Sequence, residues 1–314
     1  MSTIKNYLSL IKFSHTIFAM PFALIGFVLG AREPLIGWII ELTRDYIPSS
    51  WSGIEQPKPM WQTLILVVLC MVFARSAAMA FNRYLDREFD AKNPRTAIRE
   101  IPAGILKADR VLMFTIVNCL LFVIICWFIN RICFYLSPVA LFVVLFYSYT
   151  KRFTPLCHLV LGVGLSLAPI GAFLAVTGHF ELLPILFSFA VVFWVSGFDI
   201  IYALQDEEFD RSNKLHSIPA WLGKVRALRV SEGLHVLSAA CVITAGFVGH
   251  FHWLYWTGIA VFVGMLIYQH AIVKPNDLRR VNLAFMTANG IASVVFAVFV
   301  IADLLLIWPP NPGI

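Results

Sequence analysis

Between Phe81 and Gly104 the chain reads FNRYLDREFDAKNPRTAIREIPAG, and within it Asn82, Asp86 and Asp90 recur at steps of four. On a helix that step brings three oxygen-bearing side chains to one face. Two carboxylates so placed repel each other by about 0.2–0.5 kcal/mol on an exposed helix. A hard divalent cation removes the repulsion, and Mg2+ is commonly held by one or two carboxylates together with substrate phosphates. Arg95 and Arg99, also four apart, bring positive charge to the same neighbourhood. A solvated, charged helix end is the competing reading of this stretch taken alone.

The stretch has a second copy. Residues 202–223 read YALQDEEFDRSNKLHSIPAWLG. With Asp206 set against Asp86, QDEEFD falls on LDREFD, Asn213 on Asn93 and IPAWLG on IPAG, while Tyr202 stands where the first copy has Asn82. Duplicated packing does not require carboxylates to recur at matched places. Asp86, Asp90, Asp206 and Asp210 are therefore expected to converge on one cavity, where their negative charge calls for divalent cations and a diphosphate. Metal and cationic side chains there stabilise charge developing on a departing phosphate. Arg75 lies seven residues before Asn82, Asp199 lies seven before Asp206, and Tyr147 and Lys151 stand four apart. Charges inside apolar segments cost about 2.5–3.5 kcal/mol each on insertion scales, which makes them functional candidates. A structural ion pair for Arg75 and Asp199, and a membrane-edge anchor for Lys151, are the alternatives.

The elements that hold these residues are membrane helices. Of the 314 residues 60% are hydrophobic and 13% charged, with a mean hydropathy of +0.80, against about 45–50% apolar and 25% charged in soluble domains. Apolar runs of roughly 20 residues fit an all-α, polytopic fold in the lipid bilayer. The expected spans are 13–31, 61–81, 109–129, 132–149, 155–177, 181–203, 227–249, 252–272 and 282–307. They form a pseudo-repeated bundle around a central cavity in a single domain, 1–314, with motif loops at 82–108 and 204–226. An extramembrane insertion, 32–60, opens with LIGWIIEL, which reads as a short interfacial helix. Lys5 and Lys12 precede a first span without a small-residue cleavage pattern, so it reads as retained. Cys119, Cys126 and Cys133 repeat every seven residues, aligned for one helix face, and read as packing residues. Basic residues crowd one set of loops, placing both Asp-rich segments in the cytoplasm and the final WPPNPGI opposite. The formal charge of +6 thus needs no nucleic acid.

At these residues the chain resembles the UbiA superfamily of intramembrane prenyltransferases. The family's N-x-x-x-D-x-x-x-D is matched at Asn82, Asp86 and Asp90, and RTAIREIPAG is similar to R-T-x-x-R-P-L-P-x-G. D-x-x-x-D is matched at Asp206 and Asp210, with Asp199 and Tyr202 upstream and Lys214 downstream, and Y-x-x-x-K at Tyr147 and Lys151. The resemblance implies that Mg2+, held by the four aspartates, binds the diphosphate of a polyprenyl donor. It further implies that Arg95, Lys151 and Lys214 neutralise that diphosphate while Asn82 and Tyr147 orient it. The allylic cation left behind is attacked by an aromatic acid ortho to its hydroxyl, with Arg75 and Arg99 as candidates for the acceptor carboxylate.

IKFSHTIFAMPFAL and ARSAAMAFNR resemble the bacterial quinone-precursor branch, implying an inner-membrane enzyme acting on 4-hydroxybenzoate or, alternatively, on a dihydroxynaphthoate. One departure bears on the acceptor: the family's R-P-L-P is here Arg99-Glu100-Ile101-Pro102. A transporter, the rival from another class, calls for acids near mid-span and often inverted repeats. Here the acids sit at span ends in parallel copies.

Overall fold

The structure, a computed structural model, describes residues 3–11, 18–41 and 59–307. Lys12, the expected start of the first span at 13–17, the 42–58 part of the insertion and the tail 308–314 lie outside them. A short α1 (Thr3–Leu10) precedes α2 (Met20–Glu41), α3 (Met60–Leu85), α5 (Ala108–Ile129), α6 (Arg131–Thr150), α7 (Cys157–Thr177), α8 (Leu182–Ala203), α10 (Ile218–Val248), α11 (Trp253–Ile272) and α12 (Asn289–Ala302). Two six-residue helices, α4 (Arg87–Lys92) and α9 (Glu207–Ser212), follow α3 and α8. Among the described residues eight helical stretches are long and apolar enough to cross a bilayer, and the apolar segment Met20–Arg32 of α2 adds a shorter ninth. The chain is a multi-pass helical membrane protein.

One boundary differs in kind from expectation. LIGWIIEL is not a separate interfacial helix; α2 continues through it to Glu41. An apolar segment keeps its backbone polar groups paired by staying helical. The seven-residue cysteine repeat is also divided. Asn130, fully extended (φ −162°, ψ 171°), is the whole connection between α5 and α6, so Cys133 belongs to a different helix from Cys119 and Cys126. Its side-chain carbonyl accepts the Cys133 N–H at 2.9 Å and its amide donates to the Leu174 carbonyl at 2.8 Å, tying the turn to the end of α7.

α8 is the central helix, packed against α7 on one flank and α10 on the other. Its Phe187 and Trp194 are wholly buried among Phe22, Phe262 and Phe296. The Trp194 indole N–H and the Gln269 amide both donate to Asn289 Oδ1 at 2.9 Å, which satisfies polar groups that lipid cannot. Small residues let helices touch at backbone distance. A Cβ on Gly26 of α2 would sit 2.0 Å from the Pro169 carbonyl of α7, and one on Gly162 would sit 2.5 Å from Ser196 Oγ of α8. Large apolar side chains such as Trp127, Phe142, Val236 and Ile267 face outward, as lipid contact allows.

Candidate active site

The two copies of the Asp motif share a backbone device. α3 stops at Leu85 and Asp86 (φ −90°, ψ 6°) starts α4; the helical run through Leu204 ends at Asp206 (φ −105°, ψ 6°), which starts α9. The correspondence reaches the far ends of the copies, where Gly104 and Gly223 both adopt left-handed φ, 71° and 76°. Asn82, Asp86 and Asp90 therefore do not ride on one continuous helix. Their four-residue step nonetheless survives the break, because the Asp86 N–H donates to the Asn82 carbonyl (2.9 Å) and the Asp90 N–H to the Asp86 carbonyl (2.8 Å).

These ends meet those of α6 and α7 around a cavity of about 220 Å³. Asn82, Asp86, Asp90, Arg95, Arg99, Tyr147, Lys151, Asp199, Tyr202, Asp206 and Asp210 all line it. The negative charge expected of the four motif aspartates is already cancelled pair by pair. Arg152 lies 3.3 Å from Asp86, Arg99 2.6 Å from Asp90 and Lys151 2.7 Å from Asp210. Arg95 embraces Asp206 with two nitrogens and donates a third N–H to the Tyr202 hydroxyl at 2.8 Å. Asn93 of the first copy also donates to Asp206 Oδ1, at 3.1 Å. Arg95 and Asn93 thus bind the first copy directly to the second. Ser217, the N-cap of α10, accepts the Ala220 N–H and donates its hydroxyl to Asp210 Oδ2 at 2.8 Å.

Electrostatics follow from this pairing. Burial pushes the Asp86 carboxyl above its usual range, and the hydrogen bond from Arg152 opposes this without overcoming it. Burial disfavours charge on Lys151 too, but the Asp210 carboxylate outweighs it and holds the ammonium above its ordinary value. Arg95 behaves likewise, with Asp206 outweighing burial.

Next to this polar cavity lies a larger apolar chamber of about 440 Å³, walled by α3, α5, α6 and α7. Tyr147 and Leu161 line both spaces. Arg75 lines the apolar chamber rather than the polar cavity, and its Nε has no hydrogen-bond partner. Lys214 stands apart from both. It is exposed in a left-handed turn (φ 56°) and does not line the cavity, because the turn after α9 directs it away. Two basic lining residues escaped the motif reading. Arg152 follows Lys151 and looks like a second membrane-edge anchor; His158 sits in an apolar run with no spacing partner.

Among the described residues no three Asp, Glu, His or Cys side chains converge on one point. The donor set still fits a hard cation. It is all carboxylate oxygen, and Asp90 Oδ2 is buried in the cavity wall without a hydrogen-bond partner. Asp86, Asp90, Asp206 and Asp210 are the residues able to hold one.

A family model described as the UbiA prenyltransferase family matches residues 47–291. A 4-hydroxybenzoate octaprenyltransferase of Tolumonas auensis is 29% identical over 76% of this chain and 84% of its own length. The protein of the same name from Coxiella burnetii is 26% identical, over 79% and 87%. A UbiA homolog from Aeropyrum pernix K1 superposes with a TM-score of 0.73 at 27% identity, covering 93% of this chain and 97% of that one. A UbiA homolog from Archaeoglobus fulgidus bound to DMAPP and Mg2+ superposes with a TM-score of 0.70 at 18% identity, covering 96% and 100%.

Proposed function

The chain belongs to the UbiA prenyltransferase family, and on that premise we propose that it transfers a polyprenyl group from a polyprenyl diphosphate to the ring of 4-hydroxybenzoate or a related hydroxy-aromatic acid. It is a prenyltransferase by family; the acceptor is our reading. The observation that carries it is the junction at Tyr147, where a cavity lined by aspartates, arginines and a lysine abuts an apolar chamber twice its volume. A polyprenyl diphosphate has that same division between a charged head and an oily tail. The names of the relatives, 4-hydroxybenzoate octaprenyltransferases, favour an aromatic acid as acceptor.

In this reading Asp86, Asp90, Asp206 and Asp210 hold Mg2+, which when bound supplies positive charge to the diphosphate oxygens. Arg95, Arg99, Lys151 and Arg152 exchange their aspartate partners for that diphosphate. Asn82 and Tyr202 support the exchange from their hydrogen bonds to Asp86 and Arg95. The tail occupies the apolar chamber, whose walls keep water from the allylic cation. Arg75, a cation in an otherwise apolar wall, takes the acceptor carboxylate, and Tyr147 orients the reacting ends between the two spaces. Lys214 has no part in this arrangement. The whole chain acts as one domain, since the cavity draws on both copies of the motif. The basic residues clustered at the site's end of the bundle favour a cytoplasmic position for that end, as for a bacterial inner-membrane enzyme.

The test is transfer by the purified protein of a polyprenyl group to 4-hydroxybenzoate, with a dihydroxynaphthoate in parallel and product mass as the readout. Activity should require Mg2+ and vanish in Asp90→Ala and Asp206→Ala. Full activity in either variant, or in excess chelator, would refute the metal assignment. A naphthoate product alone would move the acceptor to the alternative.

A further inference from the structure

His158 joins three helices through one ring. Its Nδ1 lies 2.7 Å from Asp199 Oδ2 of α8, and its Nε2 accepts the N–H of Ile218, at the start of α10, at 3.3 Å. Its own carbonyl on α7 accepts the Ser196 hydroxyl at 3.1 Å. The imidazole is 3% exposed, yet it lines the polar cavity beside Asp199. A ring nitrogen that accepts a backbone N–H carries no proton, so the proton resides on Nδ1 and is donated to Asp199. Both nitrogens are thereby committed, and the ring is neither a free base nor a free ligand.

Asp199 differs from its neighbours. Each of the four motif aspartates has an arginine or lysine partner, whereas Asp199 is partnered by this neutral histidine through a hydrogen bond. Oδ2 is held, and among the described residues no hydrogen bond is made to Oδ1. The cavity therefore contains one carboxylate without a permanent cation, fixed in direction, with one oxygen left over. A group with an available lone pair held in place is what proton abstraction needs.

We propose that Asp199 Oδ1 takes the proton released by the aromatic acceptor, and that His158 is the positioning residue that aims it. The inference rests on the aromatic-acceptor reading above. In the step, the donor's C1–O bond breaks with its electron pair leaving on the diphosphate. A ring carbon ortho to the acceptor hydroxyl forms the new C–C bond to C1. The C–H pair at that carbon returns to the ring, and its proton passes to Asp199 and then to water. No oxidant or reductant is involved.

The experiment compares the parent protein with His158→Leu, His158→Gln and Asp199→Asn, using ring-deuterated acceptor. His158→Leu should lower transfer kcat about 10- to 100-fold, at or below the lower end of the roughly 100- to 10,000-fold that a general base contributes, because Asp199 itself remains. It should also reveal a primary isotope effect absent from the parent, while KM for the prenyl diphosphate and acceptor-free diphosphate release stay as they were. His158→Gln, whose amide can both donate to Asp199 and accept from Ile218, should restore most of the rate. The double variant His158→Leu/Asp199→Asn should be no slower than Asp199→Asn alone. Equal losses in transfer and diphosphate release, no isotope effect in slowed variants, or multiplying losses in the double variant would each overturn the proposal. Should His158→Leu not fold, His158→Gln and Asp199→Asn decide it by rate and isotope effect. A parent that prenylates no hydroxy-aromatic acid refutes the acceptor reading instead, a result distinct from an active parent whose variants show no isotope effect.

Discussion

Replacing Lys151 with methionine separates what the residue does for folding from what it does for substrate. Asp210 is completely buried and has two partners, the Lys151 ammonium at 2.7 Å and the Ser217 hydroxyl at 2.8 Å. Removing one member of a buried ion pair costs about 3–5 kcal/mol, because the remaining charge is left uncompensated. Lys151 is 34% exposed at its side chain, so part of that interaction is screened, and about 2–3 kcal/mol is the expected loss. At about 2–4 °C per kcal/mol for a large domain, the metal-free protein in detergent should melt roughly 5–10 °C lower. Lys151→Met/Asp210→Asn removes both charges while keeping an acceptor for Ser217, and should recover most of that fall. Activity should behave differently. A charge-assisted contact to diphosphate contributes about 1.5–3 kcal/mol, so kcat/KM for the donor should fall roughly 10- to 150-fold in Lys151→Met, and further in the double variant, which also gives up a carboxylate assigned to Mg2+. Thermal melts in chelator and steady-state kinetics in Mg2+ read the two quantities separately. A single variant as stable as the parent, or a double variant less stable than the single one, would refute the reasoning.

Asp86 gives the pH counterpart. Its carboxyl is raised by burial, so the stability it contributes is full below its unfolded value and is lost as pH rises through the folded one. The ionised carboxylate is thus the form the fold disfavours, so Asp86→Asn should raise the melting temperature of metal-free protein more at high pH than at low, while reducing the further rise on adding Mg2+. Glu100, standing where the family has proline, accepts the Ser9 hydroxyl at 2.6 Å and so ties α1 to the loop carrying Arg95 and Arg99. Glu100→Ala should loosen α1 by about 1–3 kcal/mol, seen as faster limited proteolysis before residue 11. Gly26→Ala drives a methyl group into the Pro169 carbonyl of α7 and should destabilise the protein by about 1–3 kcal/mol, measured by melting.

The Asp motifs were readable because they occur twice, and a duplicated pattern of carboxylates carries information that a single charged helix end lacks. The breaks at Asp86 and Asp206 were not readable, since the four-residue step is the same with or without them. The pairwise neutralisation of the aspartates was hidden for another reason. Arg95 belongs to one copy and its partner Asp206 to the other, 111 residues away, so only the fold brings them together. His158 is the extreme case: it meets Asp199 across 41 residues and a helix boundary, and a histidine in an apolar run has no periodic companion to betray it. Lys214 shows the reverse, a residue favoured by its place in a motif and turned outward by a single left-handed φ.

The apolar chamber is lined in part by Val139 and Phe180, which are 58% and 52% exposed at the outer surface. Its inner end meets the charged cavity at Tyr147. Under the proposed reaction the two products accordingly have different exits. The diphosphate, once cut from its tail, is a small ion with no affinity for hydrocarbon and diffuses out through the watery mouth. The prenylated ring has lost the group that anchored it among the arginines and slides sideways into the bilayer. Each turnover thus separates its own products into two phases, and recombination would require both to return from opposite directions at once.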